Sequence, residues 1–183
     1  MSLLLLLAGL ALWAGAHFFK RFAPDARARM GTAGKGVVAL VLVGSIFLMA
    51  RGYGGMDFIP VWTPPAFLTP VNNLLMLIAL FFFAARDTKA AWAKNIRHPM
   101  LIGMKAWAVA HLLVNGDLAS IILFGGLLAW AVAQVIVINR SEPDWEPRQD
   151  TSMRGNIIAL VGAVVLMGVI GYIHGWIGPS PFG

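Results

Sequence analysis

Residues 96–117, IRHPMLIGMKAWAVAHLLVNGD, decide how the chain is read, because they set two histidines, a lysine and an arginine beside a run that is otherwise apolar enough for a membrane helix. A lysine at the centre of a bilayer helix costs about 2.5 to 3.5 kcal/mol, so such groups face a protein interior or mark a function. The surrounding composition supports a bilayer. Of the 183 residues 59% are hydrophobic and only 12% charged, with a mean hydropathy of +0.78, more apolar than a soluble domain of this size requires. The runs of Leu, Ala, Val and Ile are long, with glycines scattered inside them, whereas a barrel would show short alternating segments. The expectation is an all-α integral membrane protein.

Six apolar stretches approach the roughly 20 residues that cross a hydrocarbon core of about 30 Å. They lie near 3–19, 36–53, 70–85, 99–114, 118–138 and 156–176, giving a bundle of six transmembrane helices in a single domain over 1–183. The third and fourth, at 16 residues, need interfacial residues to complete a crossing. In the first, the charges Lys20 and Arg21 follow the apolar run rather than precede it, which reads as a span and not as a cleaved signal peptide.

Basic residues sort by loop. Lys20, Arg21, Arg27, Arg29 and Lys35 follow the first span, Arg86, Lys89, Lys94 and Arg97 the third, and Arg140, Arg148 and Arg154 the fifth. Arg51 alone lies on the other side. The positive-inside rule then places both termini in the periplasm of a bacterial inner membrane. It also accounts for the net charge of +6 without nucleic acid as a partner. The absence of cysteine removes disulfides, thiolate ligands and cysteine nucleophiles.

Between the second and third spans, GYGGMDFIPVWTPPAFLTP combines helix breakers with interfacial aromatics and reads as an ordered lid on the outer face. RDTKAAWAKNIR suggests an interfacial turn of helix around Trp92, and RSEPDWEPRQDTSMR a solvated cytoplasmic loop.

The chain has four histidines. A lone intramembrane histidine serves as readily in helix packing as in ligation, but four in so apolar a chain point to function. His17 follows Trp13 by one turn and His111 follows Trp107 by one turn, so each shares a helix face with an aromatic ring that can line a flat cofactor slot. His98 and His111 are 13 residues apart, about 140° around one helix, and cannot clasp one metal as an i, i+4 pair. Met100, Met104 and Trp107 share the His111 face; for the methionines, core packing is the plainer role. Lys105 falls near the His98 face, which with Arg97 suits an anion or carboxylate, although a lysine can equally bind neighbouring carbonyls.

The blocks LALWAGAHFF, ARGYGG…VWTPP and RHPMLIGMKAWAVAHLLVNGDLASIILFGGLLAWAV resemble the NnrU family of bacterial inner-membrane proteins over nearly the whole chain. The family is linked to nitrite and nitric oxide metabolism in denitrifying bacteria, and is similar to the plastid 15-cis-zeta-carotene isomerases, membrane enzymes that use haem b. The resemblance implies haem b bound by His17 and His111, with Trp13, Trp107 and Met104 beside it, while His98 matches the histidine of a His-Pro pair and His174 matches no motif. It implies redox chemistry or sensing connected with nitrogen oxides. Partners are then the lipid bilayer, nitrite or nitric oxide reductase components, or a hydrophobic small molecule. Alternatives are a haem-dependent isomerase acting on a lipid or carotenoid, and an assembly factor for a reductase. RHPMLIG also resembles the isoprenylcysteine carboxyl methyltransferase type, but Leu101 stands where those enzymes have Tyr and their acidic C-terminal block is missing, which counts against methyl transfer.

Depth along the spans pairs the histidines differently. His17 lies near the cytoplasmic end of its span and His111 near the outer end of its own, a mismatch of about 15 Å at 1.5 Å per residue. Depth pairs His17 with the alternative ligand His98, and His111 with His174. The resemblance is given precedence, and the expected metal pair is His17 and His111.

Overall fold

The computed structural model of the chain describes residues 1–178, 181 and 182, in which seven α-helices occur and no strand beyond two isolated bridges. In order these are α1 (Ser2–Phe22), α2 (Pro24–Arg29), α3 (Ala33–Gly54), α4 (Leu68–Ala85), α5 (Pro99–Val114), α6 (Leu118–Ser141) and α7 (Met153–Ile177). Five of them, α1, α3, α4, α6 and α7, are long and apolar enough to cross a membrane; α5 is apolar but has 16 residues. Only 11% to 28% of the residues in those five apolar windows are buried. Large side chains such as Leu40 and Phe47 on α3 are 73% and 63% exposed. Apolar exteriors of this extent belong against lipid, so the chain is a helical membrane protein.

Close backbone approach holds the helix pairs. α1 and α3 run antiparallel, joined through α2, whose Pro24 occupies the first helical turn where no N–H is needed. Gly9 and Gly52 lie at their contact: a Cβ on Gly9 would stand 2.8 Å from the Met49 nitrogen, and one on Gly52 would collide with the Leu6 backbone. Small residues at such positions let membrane helices gain packing energy that lipid does not supply. α4 and α5 meet in the same way, with Gly103 against the Ala79 carbonyl and the Phe83 ring. α6 packs against α1, α3 and α5, and α7 packs against α4.

The segment between α3 and α4, expected as a lid, is pinned to the α5–α6 turn. Val61 and Trp62 donate backbone hydrogen bonds to the Gly116 carbonyl at 2.7 and 3.0 Å, and Leu118 donates to Ile59 at 2.9 Å. A side chain at position 116 would strike the Trp62 carbonyl, so glycine is required there. Asp117 caps α6, accepting from the Ser120 N–H at 3.0 Å and from its hydroxyl at 2.5 Å, and Tyr53 joins this network 2.9 Å from the Ser120 hydroxyl.

At the opposite end the expected turn around Trp92 is a 3-10 turn over Ala91–Ala93. The buried Asn156 of α7 accepts from the Trp92 N–H at 3.0 Å. The segment after α6 is solvent-exposed, as expected, and is in addition tied to its neighbours. Arg148 donates to the Arg86 carbonyl at 2.6 Å and grips Asp150 through two bonds of 3.1 and 3.2 Å. Lys89, at φ 57°, pairs with Asp150 at 3.1 Å, and Arg97 donates to the Glu142 carbonyl. Two of these ties end on backbone carbonyls and three on the Asp150 carboxylate, and which partner a charged loop residue finds is set by tertiary placement rather than by a residue pattern.

Candidate functional site

The basic end of the bundle holds a cavity of about 1030 Å³ between α1, the end of α4 and the connection that follows it, α5, α6 and the segment after α6. This is at the upper end of the roughly 300 to 1,000 Å³ usual for small-molecule and cofactor pockets. Its α1 wall is the i, i+4, i+8 series Trp13, His17 and Arg21, and its α6 wall the series Trp130, Gln134 and Ile138. α1 and α6 run parallel, so the two series face each other in register. The Trp13 and Trp130 rings are 5.3 Å apart edge to face, and the His17 ring lies 4.5 Å from each of them. Arg21 meets Glu142 at 3.1 Å at the mouth. α5 contributes Leu101 and Met104 deep in the cavity and Met100, His98 and Arg97 near its mouth.

The His17 ring is fixed by local wiring. Its Nδ1 bonds the Trp13 carbonyl at 2.8 Å, four residues back on the same helix. Given to that carbonyl, the Nδ1 proton leaves Nε2 as the basic nitrogen, the tautomer that ligates metals. No described residue hydrogen-bonds Nε2. His111 is wired identically, with Nδ1 2.9 Å from the Trp107 carbonyl. His98, just before α5, uses its Nε2 on the Asn139 amide oxygen at 2.8 Å.

The expected site residues are thus partly assembled. His17, Trp13, Met104, His98 and Arg97 line one cavity; His111, Trp107 and Lys105 do not. The His111 ring stacks on Phe124 at 4.4 Å, with Trp107 5.1 Å from the same ring, and His174 of α7 is within its electrostatic reach. Measured on α6, His17 sits at the level of Trp130 and His111 at that of Phe124. Six residues separate these levels, about 9 Å of rise and about 120° of rotation. The histidine side chains lean toward the N-termini of α1 and α5, which run in opposite directions, and so reach toward one another, but they rest on different faces of α6. Lys105 lies two turns beyond His98, about 10 Å from its level. It is half-buried, and its amine makes no hydrogen bond or ion pair with a described residue.

Trp130, Gln134 and Arg21 were not singled out from the sequence. For Arg21 the signal was present, since it continues the Trp13–His17 spacing. Trp130 and Gln134 lie on a helix that is apolar on every side, where periodicity marks no face. Among the described residues no group of three or more His, Asp or Glu side chains is placed to hold a metal ion by itself. A macrocycle that brings its own iron needs only one or two such donors.

No curated protein and no solved structure matches the chain. The NnrU protein family matches residues 5–181, which include both walls of the cavity, the histidines and the lid. The chain belongs to the NnrU family.

Proposed function

We propose that this protein crosses a bacterial inner membrane six times and holds haem b in the α1–α5–α6 cavity with His17 as an iron ligand. In this reading it takes part in nitrite and nitric oxide metabolism through redox chemistry or sensing. The observation that carries the reading is the His17 ring, a lining residue of a large, aromatic-walled cavity whose Nδ1 is bound to the Trp13 carbonyl and whose Nε2 has no hydrogen bond to a described residue. Trp13, Trp130, Leu101 and Met104 supply flat and polarisable walls for a macrocycle. Haem held there by His17 would supply electron transfer or capture of a diatomic ligand. The tautomer of His17 and the width of the slot are the protein's contribution.

The orientation belongs to the same reading. Arg21, Arg86, Arg97 and Arg148 gather at the mouth of the cavity, which supports placing that end in the cytoplasm and the outer ends of α1 and α7 in the periplasm. The size of the cavity favours a second reading, in which a hydrophobic small molecule is the occupant and the protein is a lipid- or carotenoid-modifying enzyme.

A visible spectrum of the purified protein tests the proposal. A Soret band is expected, and His17→Ala should abolish it or strip most of the haem. His17→Ala with an unaltered spectrum overturns the assignment. His111→Ala, Met104→Leu and His98→Ala then identify the opposite ligand, as the one whose loss converts six-coordinate to five-coordinate iron; His174→Ala should change nothing. A protein without a Soret band, even when expressed with excess haem, leaves the small-molecule enzyme and the assembly factor.

A further inference from the structure

A second, smaller space of about 390 Å³ opens between the end of α1, α2 and the start of α3. Lys20, Arg21, Arg27 and Lys35 border it, and no acidic side chain lines it. Asp25, the only acid in the first 56 residues, stands two positions before Arg27, about 200° around α2. At the larger cavity, by contrast, acids stand among the cations: Arg148 and Lys89 hold Asp150, and Arg21 meets Glu142. The amines of Lys20 and Lys35 are exposed and make no hydrogen bond or ion pair with a described residue. The positive-inside rule accounts for the number of cations at this end of the bundle. It does not account for their convergence on one cleft without an acid.

The cleft changes character with depth. Lys20 is the first charged side chain of α1, and after Lys35 the next on α3 is Arg51, so both amines stand where the apolar spans meet the head-group layer. Further in, the walls are Ala16 of α1 and Val38, Ala39 and Leu42 of α3. Gly9 against Met49 and Gly52 against Leu6 fix the antiparallel register of the two helices, which sets Lys20 beside Val38 and Ala16 beside Leu42. From Lys35 to Leu42 is seven residues, about 10 Å along α3. Arg27 is held over the first turn of α3: its Nη1 donates to the Gly31 carbonyl at 3.2 Å, and a Cβ on Gly34 would stand 2.6 Å from that nitrogen. Glycine at position 34 thus leaves the guanidinium its place. A cationic rim over an apolar floor, at the level of the lipid phosphates, matches an amphiphile in charge, order and depth.

We propose that this cleft binds an anionic phospholipid from the leaflet at the basic end of the bundle. The phosphate lies between Lys20 and Lys35 with Arg27 beside it, and the start of an acyl chain runs over Val38, Ala39 and Leu42. A soluble phosphate ester would leave that floor uncovered, and a zwitterionic lipid brings a further cation among the lysines. The site does not depend on haem. His17 and Arg21 border both spaces, so a lipid seated here backs the α1 wall of the larger cavity.

The test is native mass spectrometry of the full chain in a neutral detergent, with phosphatidylglycerol and phosphatidylcholine of identical acyl chains supplied in equal amounts. The phosphatidylglycerol adduct should exceed the other about tenfold or more, since each of two lysines near the phosphate contributes about fivefold. Lys20→Gln with Lys35→Gln should abolish that preference. Arg140→Gln with Arg154→Gln removes the same charge from exposed positions at the same end, outside both spaces, and should preserve it. Equal adducts for the unaltered protein overturn the proposal, as does a preference that survives loss of both lysines or falls equally in the arginine pair. Displacement of phosphatidylglycerol by an equal concentration of glycerol 3-phosphate would make the ligand a soluble phosphate and overturn the lipid assignment. Reductive methylation of the unaltered protein checks the site without any substitution. Phosphatidylglycerol, compared with phosphatidylcholine, should slow modification of Lys20 and Lys35 severalfold and leave the exposed Lys89 unchanged. No protection, or equal protection of Lys89, refutes the site.

Discussion

Gly9→Ala should loosen the cavity from a distance. The added Cβ would stand 2.7 Å from Met49 Cγ, 2.8 Å from Met49 N and 2.9 Å from Ser45 O. The methionine side chain can swing aside, but the two backbone atoms cannot. Reaching ordinary van der Waals separation therefore requires α1 and α3 to part by roughly 0.5 Å or more at this point. Overpacking of that kind costs about 1 to 3 kcal/mol. His17 lies eight residues further along α1, about 12 Å away, and its 4.5 Å contact with Trp130 depends on how α1 sits. Gly15→Ala is the matched control: on the same helix, a Cβ there meets nothing within 4 Å. It should be neutral or stabilising by up to about 1 kcal/mol, through the lost flexibility of glycine. Thermal unfolding in detergent, followed by helical circular dichroism, gives the stability of both variants, and fluorescence of the cavity tryptophans gives the local effect. Gly9→Ala should melt lower and shift the fluorescence, while Gly15→Ala should do neither. Equal stability for the two would mean that the α1–α3 approach is not what holds the wall, and the reasoning would fail.

Two further outcomes are open to direct measurement. Reporter fusions at Gly31, Lys89 and Gln149 should give cytoplasmic signals, and a periplasmic signal at Lys89 would invert the topology. Asp150, whose carboxyl is held down to about 2 by hydrogen bonds from Arg148 and then from Lys89, titrates below the ordinary carboxylate value. Its tie to Arg148 and Lys89 should therefore be complete above about pH 4 and be lost as the pH falls toward 2. Amide exchange over 142–152 should stay flat from pH 7 to 4, once corrected for intrinsic rates. Asp150→Asn should raise it by less than about fivefold, because the group is exposed and screened; a larger rise would mean that this one contact holds the whole segment.

The helices were legible because they are governed by local rules. α5 matches its expected bounds, with Pro99 entering the first turn and Asn115-Gly116 ending it. α4 begins at Leu68 rather than at Pro70, since proline is tolerated in a first turn. α6 runs past Ile138 to Ser141 because Asn139 and Arg140 are polar but helical, and apolarity stops before the hydrogen-bond ladder does. α7 starts at Met153 because the Ser152 hydroxyl caps it, accepting from the Gly155 N–H at 3.0 Å. The six residues of α2 were not foreseen, being too short for a periodic signal. The cavity was only half legible. Trp13 and His17 announce a functional face on α1, but which helix confronts that face is a tertiary fact. The choice fell on α6, whose Trp130 and Gln134 are embedded in a uniformly apolar run.

The same limit explains why local pattern does not rank the histidines. Trp13–His17 and Trp107–His111 are one motif written twice, with the same spacing and the same bond from Nδ1 to the tryptophan carbonyl. They differ in what they meet on α6. His17 meets Trp130, next to the unpaired Gln134 oxygen and an open cavity, whereas His111 meets Phe124 in a closed aromatic stack. Bringing both to one iron requires closing about 9 Å along α6. Sliding α5 that far would break the His98–Asn139 bond, the seat of Gly103 against Ala79 and the grip of Val61 and Trp62 on Gly116. Rotation of the two histidine side chains narrows the gap and leaves those three contacts in register. Two-histidine ligation therefore predicts a rearranged Phe124 and Trp107 in the loaded protein, whereas ligation by His17 with Met104 or with none leaves that aromatic stack as it stands.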